Sequence, residues 1–546
     1  QGGISLLPFF IFQSKMKQVI SYFVIGLLSR SIVSSFGVVR HNYRDGRIGR
    51  SRATLYGTTT GDVASLESKA SLLEAAFGAA RQELTKTCKI SVGVSEHRLG
   101  LIANTNIKKG EVVLNVPHDE RWELTAATAK NVVFKGILAD SYEGWTGDAG
   151  LIALQLLNEV ARTGGSGGVS SPQRPTAIQA FVDAWIKALP SPSEMDHPLL
   201  WSEGDQEVLQ SSSNTKIYRV LDDLEEDANW LSENVFSKDR ATFPETVTWN
   251  DQEIPCFNVK GYTWALALVQ SRSVFVNGAL RLVPLMDFLN HNDEANEVSD
   301  GSMGTFGTIR GSQLIAHQAY KAGEEVFCSY GPKSAADYLL EHGFCPPQAW
   351  KTAVSEITLE VDPEDRFYDD KMDILEFETY DQAPMDPVQS FDLVSAPGRD
   401  GEPDPAMIQF ARLCQLGGTD AFLLESIFRK EVWGFMALPV SERNEMAVIK
   451  QISELCEKAL EDLNQCREGG PEVCTKLRAS EVKALTRTLE YLRREKEALD
   501  LKEYYQERRL KDLGLDSEWS PEDDMSGPDD LAFGQTRAPG GADYDW

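Results

Sequence analysis

Two short stretches of this chain decide how the rest of it is interpreted. Residues 282–291 read LVPLMDFLNH, an apolar run that ends in Asp, Asn and His, and residues 325–331 read EVFCSYG. Helical spacing in the first stretch would place Asp287, Asn290 and His291 on one face. An isolated Asn-His pair can also simply satisfy the end of a buried helix. The first stretch alone therefore leaves a structural and a functional interpretation open.

The second stretch predicts a β-strand that runs into a turn. Residues 324–330 read EEVFCSY, and the Gly331-Pro332 pair follows them directly. Tyr330 then lies where a strand gives way to a loop, which is a common place for functional side chains. A lone Tyr at such a place can also be a packing residue.

The order and separation of the two stretches resemble SET-domain protein methyltransferases, in which an Asn-His segment and a later strand-end Tyr meet in a knot-like core. Residues 97–103, HRLGLIA, and 107–117, IKKGEVVLNVP, resemble the opening strands of that fold. Gly100 and Gly110 fall where the chain must turn or approach another segment closely. The resemblance implies an α+β protein: a β-rich SET fold with a helical insertion, followed by an all-α C-terminal domain.

Finer features resemble the Rubisco large-subunit methyltransferase branch of that family. Residues 181–190, FVDAWIKALP, are similar to its helical insertion, and residues 484–496, ALTRTLEYLRREK, to its C-terminal substrate-binding domain. The resemblance implies a SET domain over residues 62–345, with the insertion at about 120–260, and a helical substrate-binding domain over 346–515.

The family resemblance also implies a cofactor, S-adenosyl-L-methionine, which enters one side of the SET fold while the protein substrate enters the other. Backbone groups around Arg98 and Leu99 would hold its methionine part, and Arg272 would approach its carboxylate, since a guanidinium donates two charge-assisted hydrogen bonds. Asn290 and His291 would orient the cofactor and its adenine. Arg272 could instead form an ion pair with an internal acid.

The same resemblance places Tyr330 in the channel between the two entrances, as a catalytic residue that also contacts the cofactor. Its hydroxyl would help to align the methyl group with the incoming amine. Arg272, Asp287 and His342 would face the substrate, although Asp287 could equally brace its own segment. Members of the branch usually carry Tyr where this chain has His342, and Ser-Asn where it has Ser334-Ala335. The acceptor side therefore departs from the family pattern more than the cofactor side.

The N-terminal segment has the composition of a targeting leader. Residues 1–15 precede Met16, the first methionine, and are interpreted as upstream translated sequence. An apolar run at 19–28 suits a signal peptide, and residues 37–61 are rich in Arg, Ser and Thr, as transit peptides are. A leader over residues 1–61 of this kind resembles the bipartite plastid leaders of algae with secondary plastids. The alternative is a plain secretory signal or a disordered basic leader. A cytoplasmic location is the alternative to the plastid.

Composition narrows the classes of partner. The chain has 546 residues, of which 42% are hydrophobic and 25% charged, as in ordinary globular proteins. Its formal net charge of -29 argues against nucleic-acid binding, because phosphates would be repelled. The eight cysteines form no Cys-x-x-Cys pair, so no metal site is expected. No apolar stretch after the leader is long enough to span a membrane, and residues 516–546 predict an acidic disordered tail.

The family resemblance implies an S-adenosylmethionine-dependent protein-lysine N-methyltransferase, and together with the leader it implies that the enzyme acts on a lysine-bearing segment of a plastid protein, in the stroma. The large subunit of Rubisco and fructose-bisphosphate aldolase are the family's usual substrates. One alternative is a protein-histidine N-methyltransferase, because a neutral imidazole needs no costly deprotonation. Another is a catalytically silent SET scaffold that binds a protein partner. The sequence leaves the oligomeric state open.

Overall fold

The structure is a computed structural model of the chain. It describes residues 63–84, 88–95, 98–139, 141–169, 171–213, 217–303, 309–376, 384–467 and 469–514. The predicted leader, residues 1–61, and the predicted tail, 516–546, lie outside the described residues. These described residues form two compact units: the first comprises those up to 206 and from 217 to 346, the second those at 207–213 and from 347 onward. The predicted domain limits themselves stay a prediction.

Eight α-helices are described in the first unit, the fifth of which continues into the second. They are α1 Val63–Ala80, α2 Ala126–Thr128, α3 Gly147–Thr163, α4 Thr176–Ala188, α5 Glu203–Ser212, α6 Ile217–Asn234, α7 Val259–Arg272 and α8 Ala335–His342. Helices α3 and α7 bury most of their residues, 12 of 17 in α3 and 8 of 14 in α7. In α1 only one face is buried, and its Phe77 meets Phe181 of α4 with ring centroids 5.3 Å apart. The core of the unit is therefore built around α3 and α7.

The strands of the first unit form two main sheets and two hairpins. They are β1 Ile90–Ser95, β2 Arg98–Ala103, β3 Val112–Pro117, β4 Thr246–Trp249, β5 Gln252–Pro255, β6 Val274–Val276, β7 Ala279–Arg281, β8 Asn290–His291, β9 Ser299–Met303, β10 Ile309–Ile315 and β11 Glu325–Cys328. The four-stranded sheet has the order β1-β2-β11-β8, and the three-stranded sheet the order β3-β10-β9. The predicted opening strands are β2 and β3. Gly110, between them, has a φ of 81°, which explains why a glycine is needed at that turn.

The structure contradicts the predicted helical arrangement of residues 282–291. Only Met286–Phe288 form a single 3₁₀ turn, and Asn290–His291 form β8. Because side chains alternate along a strand, Asn290 and His291 point to opposite sides instead of sharing a helical face with Asp287. The apolar residues of this run are buried whichever way they point. Periodicity cannot separate helix from strand in a short run that is buried on all sides.

The second unit combines six helices with one small sheet. Its helices are α9 Tyr368–Glu376, α10 Pro405–Cys414, α11 Val432–Phe435, α12 Glu442–Asn464, α13 Glu472–Glu497 and α14 Tyr505–Asp512, and its strands are β12 Ala353–Glu360, β13 Val388–Ala396 and β14 Arg399–Asp400. The strands pair antiparallel in the order β12-β13-β14. The predicted α+β class with a helical C-terminal region is confirmed, but the description of that region as all-α omitted this sheet. Buried and more exposed residues alternate along β12, which is a strand signal in the sequence AVSEITLE.

Two features are absent from the described ranges, a membrane-spanning helix and a cluster of metal ligands. Among the helices that the structure describes, none is both long and apolar enough to cross a membrane. The described His, Cys, Asp and Glu side chains likewise form no group of three or more that could hold a metal ion.

Candidate functional site

The two stretches quoted first lie side by side in the four-stranded sheet. β8 pairs in parallel with β11, with Asn290 opposite Phe327 and His291 opposite Cys328. On its other edge β11 pairs antiparallel with β2, and Val326 lies opposite Leu101. Three segments that are far apart in the sequence therefore meet in adjacent strands.

The side chain of Asn290 ties the three strands together. Its Nδ2 donates to the backbone oxygen of Leu99 at 3.1 Å and to Oε1 of Glu325 at 2.6 Å. Both bonds pass over Gly100, where a Cβ atom would lie 2.7 Å from the Glu325 Oε1 and 3.1 Å from the Asn290 Nδ2. A side chain at residue 100 would collide with this arrangement, as the predicted close approach at Gly100 implies.

His291 has a defined tautomer. Its Nδ1 accepts the backbone N–H of Tyr330 at 3.2 Å, so Nδ1 carries no proton. The proton is then on Nε2, which lies 3.0 Å from Oδ1 of Asp293. Burial lowers the pKa of His291, and the neighbouring Asp293 opposes that effect only in part. His291 is therefore a neutral ring that fixes the backbone at Tyr330.

The hydroxyl of Tyr330 donates to the backbone oxygen of Leu289 at 2.8 Å. Burial raises the pKa of this phenol well above its usual value, so it stays protonated at neutral pH. Because its proton points to the backbone oxygen of Leu289, the phenol oxygen of Tyr330 keeps lone pairs that can accept a hydrogen bond. The ring packs between His342, at 4.6 Å, and His291, at 5.1 Å, measured between centroids.

Arg272 and Asp287 form a buried ion pair. Nη1 of Arg272 lies 3.1 Å from Oδ2 of Asp287 and donates to its backbone oxygen at 3.2 Å. The same carboxylate accepts Nε1 of Trp185 and the backbone N–H of Leu285, both at 3.0 Å. Leu285 has a φ of 87°, a strained value for a residue with a side chain. The internal ion pair considered for Arg272 and the bracing considered for Asp287 are thus both present.

His342 ends α8 and carries an unused acceptor. Its Nδ1 lies 3.2 Å from the backbone oxygen of Ser271, which can only accept, so the ring proton is on Nδ1. Nε2 is then a bare lone pair, buried and without a hydrogen-bond partner among the described residues. Burial, followed by the charge of Lys333, lowers the pKa of His342 to about 3. The ring is therefore neutral at physiological pH.

Five rings pack together around Tyr330. The cluster comprises His291, Tyr330, Tyr338, His342 and Phe344, and their centroids lie 4.6–6.2 Å apart in the pairs that involve His342. Sequence reasoning missed Tyr338 and also Glu325, the partner of Asn290. Helical i, i+4 spacing from His342 could have indicated Tyr338, and strand alternation with Phe327 could have indicated Glu325.

Most of the predicted site residues are in contact with one another in the structure. Hydrogen bonds link Asn290 to Leu99 and His291 to Tyr330, a ring contact links Tyr330 to His342, and an ion pair links Arg272 to Asp287. Arg98 is the exception, because its side chain makes no hydrogen bond or ion pair with any described residue, and its Nε is buried.

The side chains of this site can align bound groups with each other, but they are not suited to covalent catalysis. Burial raises the pKa of the Cys328 thiol to about 12, so it stays protonated and is a poor nucleophile. Tyr330, His291 and His342 are all neutral. Such a site can hold two bound groups in register and exclude water, but offers no activated nucleophile of its own.

Comparison with known domains defines the class of the protein. Residues 98–331 match the SET domain, and residues 362–499 match the Rubisco LSMT substrate-binding domain. The solved structure of Rubisco LSMT bound to AdoMet superimposes with a TM-score of 0.62 at 26% sequence identity, covering 82% of this chain and 97% of that one.

Curated relatives make the assignment more specific. The ribulose-1,5-bisphosphate carboxylase/oxygenase large subunit N-methyltransferase, chloroplastic, of Nicotiana tabacum is 32% identical over 465 residues, which cover 80% of this chain and 85% of the relative. The [fructose-bisphosphate aldolase]-lysine N-methyltransferase, chloroplastic, of Arabidopsis thaliana is 29% identical over 440 residues, covering 76% and 82%. The chain belongs to this family of SET-domain protein N-methyltransferases with a Rubisco LSMT-type substrate-binding domain.

The lowered pKa of His342 predicts a pH-dependent loss of stability. The unfolded chain takes up a proton near pH 6.5, whereas the folded ring does so only near pH 3. The contribution of the neutral ring to stability is therefore complete above about pH 6.5 and is lost as the pH falls toward about 3. In His342→Asn, which keeps a donor for Ser271, the melting temperature should fall less between about pH 7 and about pH 5 than in the wild type.

The matched control is His317→Asn, at a histidine that is far less buried. That variant should keep most of the wild-type pH dependence. Equal pH dependence in the wild type and in His342→Asn would contradict the assignment of a neutral buried ring.

Proposed function

We propose that this protein transfers a methyl group from S-adenosylmethionine to the ε-amino group of a lysine in a plastid protein. The observation that carries the proposal is the parallel pairing of Asn290–His291 with β11, which sets the Tyr330 hydroxyl against the Leu289 carbonyl. The chloroplastic N-methyltransferases named above, one of them named as a lysine N-methyltransferase, support it, because they match this chain over most of their own length.

The residues present fit S-adenosylmethionine, which supplies a methyl group on an electrophilic sulfonium. Gly100 leaves space beside Asn290 that any side chain would fill. The buried Nε of Arg98 faces no acceptor among the described residues, so the site has an unused donor for an anionic group. Asn290 and the Leu99 backbone would hold the amino-acid end of the cofactor, and His291 would orient it together with the adenine.

Tyr330 is the residue that we assign to catalysis. Methyl transfer is an in-line displacement, so the protein contributes mainly by aligning the amine with the methyl carbon. The protonated phenol is held in one orientation by Leu289, and its free lone pairs can accept a hydrogen bond from the amine. Its proton is not available for removal, because burial raises the pKa of Tyr330.

A lysine substrate must lose a proton before it can attack. Removing that proton at neutral pH costs roughly 4–5 kcal/mol for an unperturbed lysine. A channel lined by His291, His342 and Tyr330 is buried, and burial favours the uncharged amine over the ammonium. These rings would lower the pKa of the bound lysine and supply part of that cost.

On the substrate side we assign different tasks to the three predicted residues. His342 would contact the substrate directly, because its bare Nε2 is the one acceptor of this ring that the described protein leaves unused. Asp287 would act through Arg272 and the strained Leu285 turn, both of which it holds by hydrogen bonds. Arg272 would then shape the channel wall next to Tyr330.

Histidine methylation is the second candidate. The actin-histidine N-methyltransferase of Homo sapiens is 28% identical over 296 residues, which cover 52% of this chain and 44% of that protein. The match is shorter on both chains than the match to the lysine methyltransferases. A silent scaffold is less well supported, since Tyr330, Asn290 and His291 are present and hydrogen-bonded.

The acceptor can be identified directly. The purified chain, incubated with methyl-labelled S-adenosylmethionine and either the large subunit of Rubisco or fructose-bisphosphate aldolase, should label lysine in at least one of them, as located by mass spectrometry. Label on histidine would replace the lysine assignment. Cofactor binding without any transfer, also in a plastid extract, would support the scaffold instead.

The role of Tyr330 can be separated from its packing. Tyr330→Phe should lower kcat on the order of 10²-fold, since the amine loses an aligning hydroxyl, while S-adenosylmethionine binding changes little. Tyr338→Phe removes another hydroxyl from the same ring cluster, one that donates to Gly331 at 2.7 Å, and should retain activity. A Tyr330→Phe enzyme as active as the Tyr338→Phe control would refute the catalytic assignment.

We place the protein in the plastid stroma, delivered by a bipartite leader at residues 1–61. The chloroplast relatives support a plastid location, and the apolar and Arg-rich segments of the leader support the route. A fluorescent reporter carrying residues 1–61 should accumulate inside plastids of an alga with secondary plastids. Retention in the cytoplasm or secretion would contradict this location.

A further inference from the structure

Asp420, in the second unit, is a buried carboxylate without a charged partner. Only 6% of the residue is exposed, and its Oδ2 accepts one hydrogen bond, from the Ser441 hydroxyl at 2.6 Å. No described residue donates to its Oδ1, and no described cation forms an ion pair with it. A buried carboxylate that lacks a cation is costly, so a ligand that supplies one would be favoured.

Another buried carboxylate of this unit does have cationic partners. Glu445 lies 2.6 Å from Arg412 and 3.2 Å from Lys502. Asp420 meets only the N-terminus of α12, through the capping residue Ser441, and a helix N-terminus carries roughly half an elementary charge. The negative charge of Asp420 is therefore compensated only in part.

Asp420 borders a cavity of about 310 Å³. Two further carboxylates line it, Glu442 and Glu507, each in the first turn of a helix, where the helix dipole stabilises it. The rings of Phe422 and Tyr505 also line it, with centroids 6.1 Å apart. The described residues around this cavity include no Lys or Arg. Carboxylates beside aromatic rings are suitable surroundings for a Lys or Arg side chain.

Asp420 also lines a second cavity, of about 270 Å³, so the two cavities lie side by side. Asn444 lines it as well; only 1% of this residue is exposed, and its buried Oδ1 has no donor among the described residues. The exposed guanidinium of Arg443, in the same cavity, has no acceptor among them. Gly418 leaves room for that guanidinium, because a Cβ atom there would collide with it. A free acceptor beside a free donor is the complement of a peptide group, which has an N–H and a carbonyl.

We propose that these two cavities, together called the Asp420 groove, bind an extended segment of the substrate protein. A Lys or Arg side chain of that segment lies beside Asp420, Glu442 and the two rings, and a neighbouring peptide group bonds Asn444 and Arg443. This cationic residue is not the lysine that accepts the methyl group. The groove therefore selects substrates by a second, basic position.

Two observations favour this occupant. A second copy of this chain fits poorly, because its formal net charge of -29 opposes self-association. The groove residues Asp420, Glu442 and Asn444 fall within residues 362–499, which match the Rubisco LSMT substrate-binding domain. The identity of the occupant as a substrate rests on the function proposed above, whereas the chemistry of the groove does not.

A pair of short peptides tests the groove without any methyl transfer. A capped peptide with one arginine between alanines carries the cation but no acceptor lysine, and its citrulline counterpart has nearly the same shape without the charge. Ligand-observed NMR should show that the full chain binds the arginine peptide on the order of 10-fold more tightly, as expected for charge-assisted hydrogen bonds. Equal binding of the two peptides, or binding of neither, would overturn the proposal.

Matched variants locate the binding. Combining Asp420→Asn with Glu442→Gln removes two charges but keeps an oxygen that can accept from Ser441, so the melting temperature should change little and the preference for arginine should be lost. Glu457→Gln removes an exposed glutamate of α12 that lines neither cavity, and it should keep the preference. A double variant that folds and still prefers arginine would refute the assignment to this groove.

Backbone methylation tests the second cavity. Methylating each backbone nitrogen of the arginine peptide in turn removes the N–H that Asn444 would accept, and at least one of these peptides should bind several-fold more weakly. If all of them bind as well as the parent peptide, the groove does not hold an extended segment.

Kinetics connect the groove to the reaction. With a protein that the wild type methylates, the double variant should raise KM on the order of 10-fold and leave kcat and the affinity for S-adenosylmethionine unchanged. An unchanged KM would show that the groove does not bind the substrate. A wild type that prefers the arginine peptide but methylates no plastid protein would refute the proposed function and support the groove as a site for a basic segment.

Discussion

The parallel pairing of β8 with β11 is the interaction on which the rest of the site depends. It spans only Asn290 and His291, and so short a ladder contributes little stability by itself. Side chains reinforce it at both ends, where Asn290 reaches across to Leu99 and His291 accepts the Tyr330 amide. Because these bonds come from the same two residues that form the ladder, a change of register would break all of them together.

The segment that leads into β8 is held by buried polar contacts rather than by regular secondary structure. Leu285 has a positive φ of 87°, which a residue with a side chain adopts only at a cost. The carboxylate of Asp287 offsets that cost by accepting the Leu285 amide while it binds Arg272 and Trp185. Helix α4, which contributes Trp185, and the segment that leads into β8 are therefore coupled through one buried carboxylate.

Electrostatics divide the site into a neutral part and a charged part. The ring cluster around Tyr330 holds two uncharged imidazoles and a protonated phenol, because burial lowers the pKa of His291 and His342 and raises that of Tyr330. Charged groups border these rings: Arg272 and Asp287 form an ion pair, and Glu325 accepts a hydrogen bond from Asn290 next to Gly100. This division suits a reaction in which a neutral amine meets a charged cofactor, since each component finds an environment matched to its own charge.

The sequence by itself determined the family, the α+β class and the residues that meet, because Asn290, His291 and Tyr330 lie in local patterns with a fixed order. It also indicated the close approach at Gly100. Only the tertiary structure decided that residues 282–291 form a turn and a two-residue strand, since a run that is buried on all sides has no readable period. The tertiary structure alone also paired Arg272 with Asp287 and left the buried Nε of Arg98 without an acceptor among the described residues. Such pairings join segments far apart in the sequence, and no local pattern encodes which charges will come into contact.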